Sequence, residues 1–270
     1  MKKRKLNYKR LLILILLIFL IITAIISLLN IIIWFINSNK TKDQINGINN
    51  QIKIEEVKDN DNTEIINQNP NIASDNPYWD YIKMNMINVD ILELQKTNNE
   101  TKGWIQINGT NINYPFVQTN NNSYYLNHSF NKKYNDAGWV FLDYRNNINN
   151  LDQNTIIYAH SRKDKTMFGS LTNVLKNNWL KNQNNYIIKL STTKENTLWQ
   201  IFSIYHIPTT SDYLEINNIS QDFLNTLLNR SKHNFNTTVD TNDKILTLST
   251  CYSDTEKFVV HAKLIKKSIK

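Results

Sequence analysis

The chain is 270 residues long, carries 31 Lys and Arg against 23 Asp and Glu for a formal net charge of +8, and contains a single cysteine. One sulfur excludes an internal disulfide framework, and the length suits one catalytic-sized domain with appendages. The charge does not describe a basic nucleic-acid surface: Lys2, Lys3, Arg4, Lys5, Lys9 and Arg10 open the chain, Lys263, Lys266, Lys267 and Lys270 close it, and removing these ten leaves −2 between them.

From Leu11 to Ile36 no residue is charged and most are Leu or Ile, with Trp34 near the far end. The run exceeds the ~20 residues needed to cross a bilayer, is too long for a signal-peptide core, and is followed by no small-x-small cleavage pattern. The plain alternative, a buried core helix, rarely stays charge-free for so long. Residues 1–10 are therefore expected to be a cytoplasmic basic flank and 11–37 an uncleaved, single-pass signal anchor in the plasma membrane. The positive-inside rule then puts the rest of the chain outside the cell. Residues 38–76, rich in Asn, Asp, Lys and isolated Ile, read as a linker or loosely helical stalk. Residues 77–270 read as one catalytic domain.

Within that domain Tyr78 to Lys96 predicts one or two short helices, with Ile82, Met86, Ile91 and Leu94 at roughly helical spacing. Extended patterns follow: Gly103–Ile107, then the Asn108-Gly109 turn signal, then Ile112–Val117, Gly138–Leu142, Asn154–Ala159, Tyr186–Leu190, Leu198–Tyr205, Lys244–Thr250 and Phe258–Ile265. About eight strands with few helices predict a mainly β chain forming a mainly antiparallel barrel. Thr166–Leu175 and Ser220–Arg230 carry apolar residues at helical spacing and are expected as helical inserts.

The cysteine, Cys251, ends the apolar strand pattern Lys244–Thr250. Outside the cell an unpaired thiol suggests reactivity, although a buried inert cysteine is the bland alternative. A nucleophilic thiol needs a base or ion-pair partner and a group that stabilises the oxyanion. Of the five histidines, His160 ends the strand pattern Ile156–Ala159 just where a polar loop begins, as Cys251 ends its own. His261 lies inside the last strand, where a half-buried structural role is more economical, and His128, His206 and His233 lie in loop-like contexts. No zinc spacing, phosphate loop or nucleotide fingerprint is present, so neither cofactor nor metal is expected.

These residues resemble a known family. Thr247-Leu248-Ser249-Thr250-Cys251 looks like the active-site strand of sortases, and Tyr158-Ala159-His160 followed by Lys163–Phe168 resembles the histidine loop of class B sortases. Gly103-Trp104-Ile105, Asn111–Pro115, Tyr125-Leu126-Asn127 and Phe141–Asn146 look like class B segments in the right order, so the likeness runs from about Trp79 to Ile265. It implies a closed sortase-like barrel behind an uncleaved anchor, and transpeptidation at the Gram-positive cell surface. The partners it implies are a secreted protein bearing a C-terminal sorting signal and an amine of peptidoglycan or its precursor. Cys251 would form the thioester, and His160 would protonate the departing amine and deprotonate the incoming one.

The family's third site residue is an arginine opening the final strand, and the alignment puts Lys257 there, after a short connection from Cys251. Lysine keeps the charge but loses the planar fork with two donors. The reading that Lys257 serves with one donor competes with a cation reaching in from a loop, such as Arg162 or Arg145, and with a weakly active copy. Tyr158 and Ser249, each two residues before a catalytic candidate, share its side-chain direction and should line the same groove. Thr250 is counted with them, and Asn122 matches an asparagine near the family's substrate site. Asp143 and Arg145 read first as a structural ion pair. Rival readings are a pilin-polymerising sortase and an anchored binding module with a weak or silent site. An L,D-type transpeptidase keeps His and Cys close together in sequence, and a papain-like protease has its cysteine first; neither fits this order.

Overall fold

A computed structural model describes residues 7–66 and 72–270. The basic residues Lys2, Lys3, Arg4 and Lys5, and residues 67–71 of the expected linker, lie outside the described part. The chain divides into two compact units, 1–40 and 41–270.

The first unit is the start of helix α1 (Tyr8–Gln51). Its Leu and Ile side chains between Leu11 and Ile36 are exposed on every face. Among the described residues α1 is the one helix long and apolar enough to cross a membrane, and a helix apolar all round is stable only in such a setting or in a large core.

The second unit begins earlier than the composition suggests. The end of α1 carries Ile45 and Ile48, and Ile52 follows one residue past it; Ile48 and Ile52 are buried in the main core and Ile45 packs against it. Asn135 Nδ2 donates to Thr41 Oγ1 at 3.1 Å. Two short strands follow, β1 (Ile54–Val57) and β2 (Thr63–Ile65). Where a linker or stalk is expected, the chain thus enters the fold: its scattered isoleucines are spaced for contact with a core formed by later residues. Next come α2 (Tyr78–Tyr81), β3 (Met86–Val89) and α3 (Ile91–Thr97), the last capped by the Asp90 carboxylate accepting from Glu93 N. Met86 belongs to a strand rather than a helix because β3 pairs antiparallel with β1, a partner distant in sequence.

The barrel strands are β4 (Thr101–Ile107), β5 (Asn113–Val117), β6 (Phe141–Leu142), β7 (Asn154–Tyr158), β8 (Ile187–Thr192), β9 (Glu195–Pro208), β10 (Ile245–Cys251) and β11 (Glu256–Ile269). They hydrogen-bond in the order β10-β7-β6-β5-β4-β8-β9-β11, and β11 returns to β10, closing eight strands into the expected barrel. β2 joins β11 through Lys266–Ser268, beyond the stretch Lys257–Lys263 that faces β10. Two pairings are parallel, β5 with β6 and β10 with β7. The Asn108-Gly109 turn closes the β4–β5 hairpin, with Gly109 at φ 68°, where a Cβ would lie 2.8 Å from the Trp179 Nε1.

Of the two expected inserts, the second is helix α5 (Gln221–Arg230), with α4 (Asn177–Leu180) lying before it in the chain. In α5 Ser220 caps the N-terminus through Phe223 N, and Leu224 and Leu227 are buried. The first, Phe168–Leu175, is a 3-10 helix rather than an α-helix; it starts at Met167, whose φ of 52° breaks the backbone run from the histidine loop. The core fills the barrel with large side chains, among them Trp104, Trp139, Trp199, Phe116 and Phe258. His261 is fully buried rather than half-buried. Tyr205 Oη donates to its Nε2 at 2.8 Å, and its Nδ1–H donates to Thr247 Oγ1 at 2.9 Å. Burial pushes this imidazole down to about 3.

Candidate active site

The parallel pairing of β7 and β10 positions the site. Ser249 stands opposite Tyr158, and parallel strands end on the same side, so the residues just beyond, His160 and Cys251, leave the barrel at one rim. Thr250 Oγ1 donates to Ala159 O at 2.7 Å and pins the two ends together. The antiparallel pairing of β10 with β11 brings in the third candidate, because Cys251 stands directly opposite Lys257. Lys257 Nζ donates to the thiol sulfur at 3.3 Å. The intervening turn is closed by Tyr252 N donating to Glu256 O at 2.9 Å, so the amide after the thiol is already committed.

Cys251 is exposed, and it borders a cavity of about 390 Å³ lined also by His160, Lys257, Asn122, Tyr158, Ser249 and Thr250. All seven residues singled out in the sequence therefore share one groove. His160 Nε2 lies 2.6 Å from Leu126 O. A carbonyl can only accept, so this nitrogen carries a proton, and in the neutral ring Nδ1 is the acceptor.

Several known proteins resemble this chain. A family model described as "Sortase domain" matches residues 105–265. Sortase B of Staphylococcus aureus is 38% identical over 183 residues, covering 65% of this chain and 74% of that protein. A solved Staphylococcus aureus sortase B–substrate complex superposes with a TM-score of 0.61 at 36% identity, covering 65% of this chain and 84% of the other. A Bacillus anthracis structure described as similar to sortase B reaches 0.64 at 32% identity, covering 86% and 97%. The chain belongs to the class B sortases. It is a cysteine transpeptidase that acts on proteins bearing a sorting motif.

In this sortase the groove walls are tied together by Asp143, whose side chain is fully buried. Its carboxylate accepts from Arg145 Nε at 2.9 Å and Nη2 at 2.8 Å, from Tyr158 Oη at 2.9 Å and from Asn122 Nδ2 at 3.0 Å. Burial alone would push that carboxyl up, but the Arg145 guanidinium and backbone amide with the Tyr158 hydroxyl outweigh it and hold the acid below its ordinary range. Arg145 Nη2 also donates to Leu214 O at 3.2 Å, on the opposite wall, where Tyr213 Oη and Ser249 Oγ bond at 3.0 Å. The expected Asp143–Arg145 pair is present and does more than brace one loop: it joins Asn122, Tyr158 and the 209–219 segment.

The other cations weighed for the third position have different partners. Arg145 is turned to Asp143, and Arg162 is buried against Asp164 at 3.0 Å and Thr166 Oγ1 at 3.1 Å. Sequence reasoning missed Leu126, Phe141, Thr210, Tyr213 and Leu214, which complete the groove. Leu126 lay within a segment already likened to class B sortases, and its backbone oxygen, not its side chain, holds the histidine. Thr210, Tyr213 and Leu214 sit in an irregular loop with no periodicity to reveal them.

Proposed function

We propose that Cys251 is the nucleophile, His160 the acid–base group and Lys257 the electrostatic partner of both thiolate and oxyanion. The observation that carries this reading is the Lys257 Nζ to Cys251 Sγ contact of 3.3 Å at the mouth of a groove that also contains His160. The Cys251 thiol gives its proton to His160 Nδ1, the acceptor nitrogen of the neutral ring, to form the imidazolium; the thiolate adds to the carbonyl carbon of the scissile amide, and the negative charge passes from sulfur to oxygen within reach of the lysine ammonium. With the Tyr252 amide occupied, Lys257 is the donor that follows the charge. The C–N bond then breaks, and the departing nitrogen takes a proton from His160 Nδ1, since Nε2 stays on Leu126 O. The acyl group remains as a thioester. An incoming amine attacks the same carbon, returns its proton to His160 and expels the thiolate, so one amide is exchanged for another.

Asn122, Tyr158, Ser249 and Thr250 line the donor groove and hold the sorting-motif peptide in extended form. Residues 1–10 face the cytoplasm, 11–37 anchor the chain in the plasma membrane, and the barrel works outside, where the acceptor is an amine of peptidoglycan or its precursor. The test is to incubate the full-length protein in detergent with sorting-signal peptides and follow intact mass. The expected result is an acyl adduct on Cys251 that disappears in Cys251→Ala and accumulates at least about a hundredfold more slowly in His160→Ala. An adduct unaffected by His160→Ala would overturn the assignment.

A further inference from the structure

A lysine nitrogen that has given up its proton is a nucleophile, whereas an arginine in the same place would stay protonated. Lys257 Nζ lies 3.3 Å from Cys251 Sγ, and among the described residues that sulfur is its one hydrogen-bond partner. We infer that Lys257 is an internal acyl acceptor: when no external amine arrives, the acyl group moves from the Cys251 sulfur to the Lys257 nitrogen, and the enzyme acylates itself. The inference rests on the thioester reading and adds a modification site to it.

The backbone keeps the two groups together. Cys251 and Lys257 are paired directly across β10 and β11, and the turn 252–256 between them is held at both ends. Tyr252 N and Ser253 N donate to Glu256 O at 2.9 and 3.3 Å. His206, on β9, stacks on Tyr252 with ring centroids 4.4 Å apart and planes 12° from parallel, and its Nδ1 lies 3.0 Å from Glu256 Oε1. Thr209 N donates to Thr255 O at 2.9 Å. The residue after the cysteine and the residue before the lysine are therefore both fixed. A pair held at such a separation reacts with an effective concentration far above that of a dissolved amine.

Acylation changes what the ammonium faces. A thioester sulfur has neither charge nor proton, and the carbonyl carbon bonded to it comes within the amine's reach by rotation about the Cβ–Sγ bond. The ammonium gives one proton to solvent, and its nitrogen adds to the carbonyl carbon. The C–S bond breaks with its electron pair on sulfur, and a second nitrogen proton passes to the thiolate. The products are an amide on Lys257 and a free thiol, with one proton released and nothing oxidised or reduced. Lys257 is half-buried on the wall of the 390 Å³ groove, so its amide keeps the donor peptide in that groove and removes the cation from beside the sulfur. A copy modified in this way is silent, which limits the stock of waiting thioester when acceptor is scarce.

The experiment uses the full-length protein in detergent, a sorting-signal peptide as donor, and neutral hydroxylamine, which cleaves thioesters and spares amides. Hydroxylamine added an hour after the donor should leave at least about fivefold more resistant adduct than hydroxylamine added with it, because the later addition gives the intramolecular transfer time to occur. Fragment mass mapping should place the resistant acyl group on Lys257, and Lys257→Arg should form an adduct that stays fully labile. The mapping in the parent decides by itself should the Arg variant not acylate. An adduct that hydroxylamine releases completely at every time, a resistant adduct on another residue, or one that persists in Lys257→Arg overturns the inference while leaving the thioester chemistry standing. Failure to form any Cys251 adduct overturns the underlying reading and this one with it.

Discussion

Lys257→Ala isolates the feature in which this chain departs from its family pattern. The ammonium is 3.3 Å from the sulfur, and Coulomb's law at that separation gives about 1 kcal/mol in bulk water and about 5 kcal/mol at an effective dielectric near 20. Cys251 is exposed and Lys257 half-buried, so the interaction lies toward the lower half of that range, about 2–3 kcal/mol. That corresponds to roughly 30- to 150-fold in the acylation rate. The Tyr252 amide is bound to Glu256 O and offers no replacement donor without opening the turn. Lys257→Met, which keeps the aliphatic stem, should fall with Ala; Lys257→Arg should remain within about threefold of the parent or exceed it, because a fork can serve sulfur and oxygen together. The assay is quenched-flow acylation read by intact mass, at low and at 0.5 M salt, with the loss shrinking at high salt. Ala and Met variants acylating within twofold of the parent at low salt would refute the reasoning, and the oxyanion donor would have to be sought elsewhere.

Three further outcomes are expected. Gly138 has φ 59°, and a Cβ there would lie 2.8 Å from the Leu126 oxygen that holds His160; Gly138→Ala should lower stability by about 1–2 kcal/mol and turnover by at least tenfold, checked by thermal melts and peptide kinetics. Asp143→Asn removes the charge that binds Arg145, Tyr158 and Asn122; since Arg145 is 41% exposed, the loss should be about 2–3 kcal/mol, below the full cost of breaking a buried pair. The variant should also show a rise in KM larger than the fall in kcat. His261 is neutral in the fold and protonates only near 3, so between about pH 6.5 and pH 3 the unfolded chain binds the extra proton and stability falls as the medium is acidified. The group should remove about 2 kcal/mol by pH 5, and denaturant titrations of His261→Gln should show a pH slope shallower by one proton over that window.

Much of the candidate site was legible before folding because it is written in local pattern. A strand that stops at a thiol and another that stops at an imidazole are visible as apolar runs meeting polar ones, and Cys251 and His160 lie at those boundaries. The Lys257 assignment came through resemblance, since a lysine after a short polar turn has no signature of its own; the antiparallel register Cys251↔Lys257 gives it a partner. The packing of region 41–66 is hidden in the sequence for the converse reason. Its isoleucines and short strands have neither length nor alternation, and they become structure only where β3 and β11 offer an edge.

The amino-acid order by itself determined an apolar helix with a basic flank, some eight extended segments, and one sulfur with a candidate histidine, because hydropathy and side-chain period act over a few residues. Which segments lie side by side is a long-range matter. The parallel register of β7 on β10, the commitment of the Leu126 oxygen to His160, and the convergence of Asn122, Tyr158 and Leu214 on the Asp143–Arg145 pair were decided by barrel closure alone. Closure joins residues separated by about a hundred positions through backbone pairing and burial, forces whose partners no local window contains.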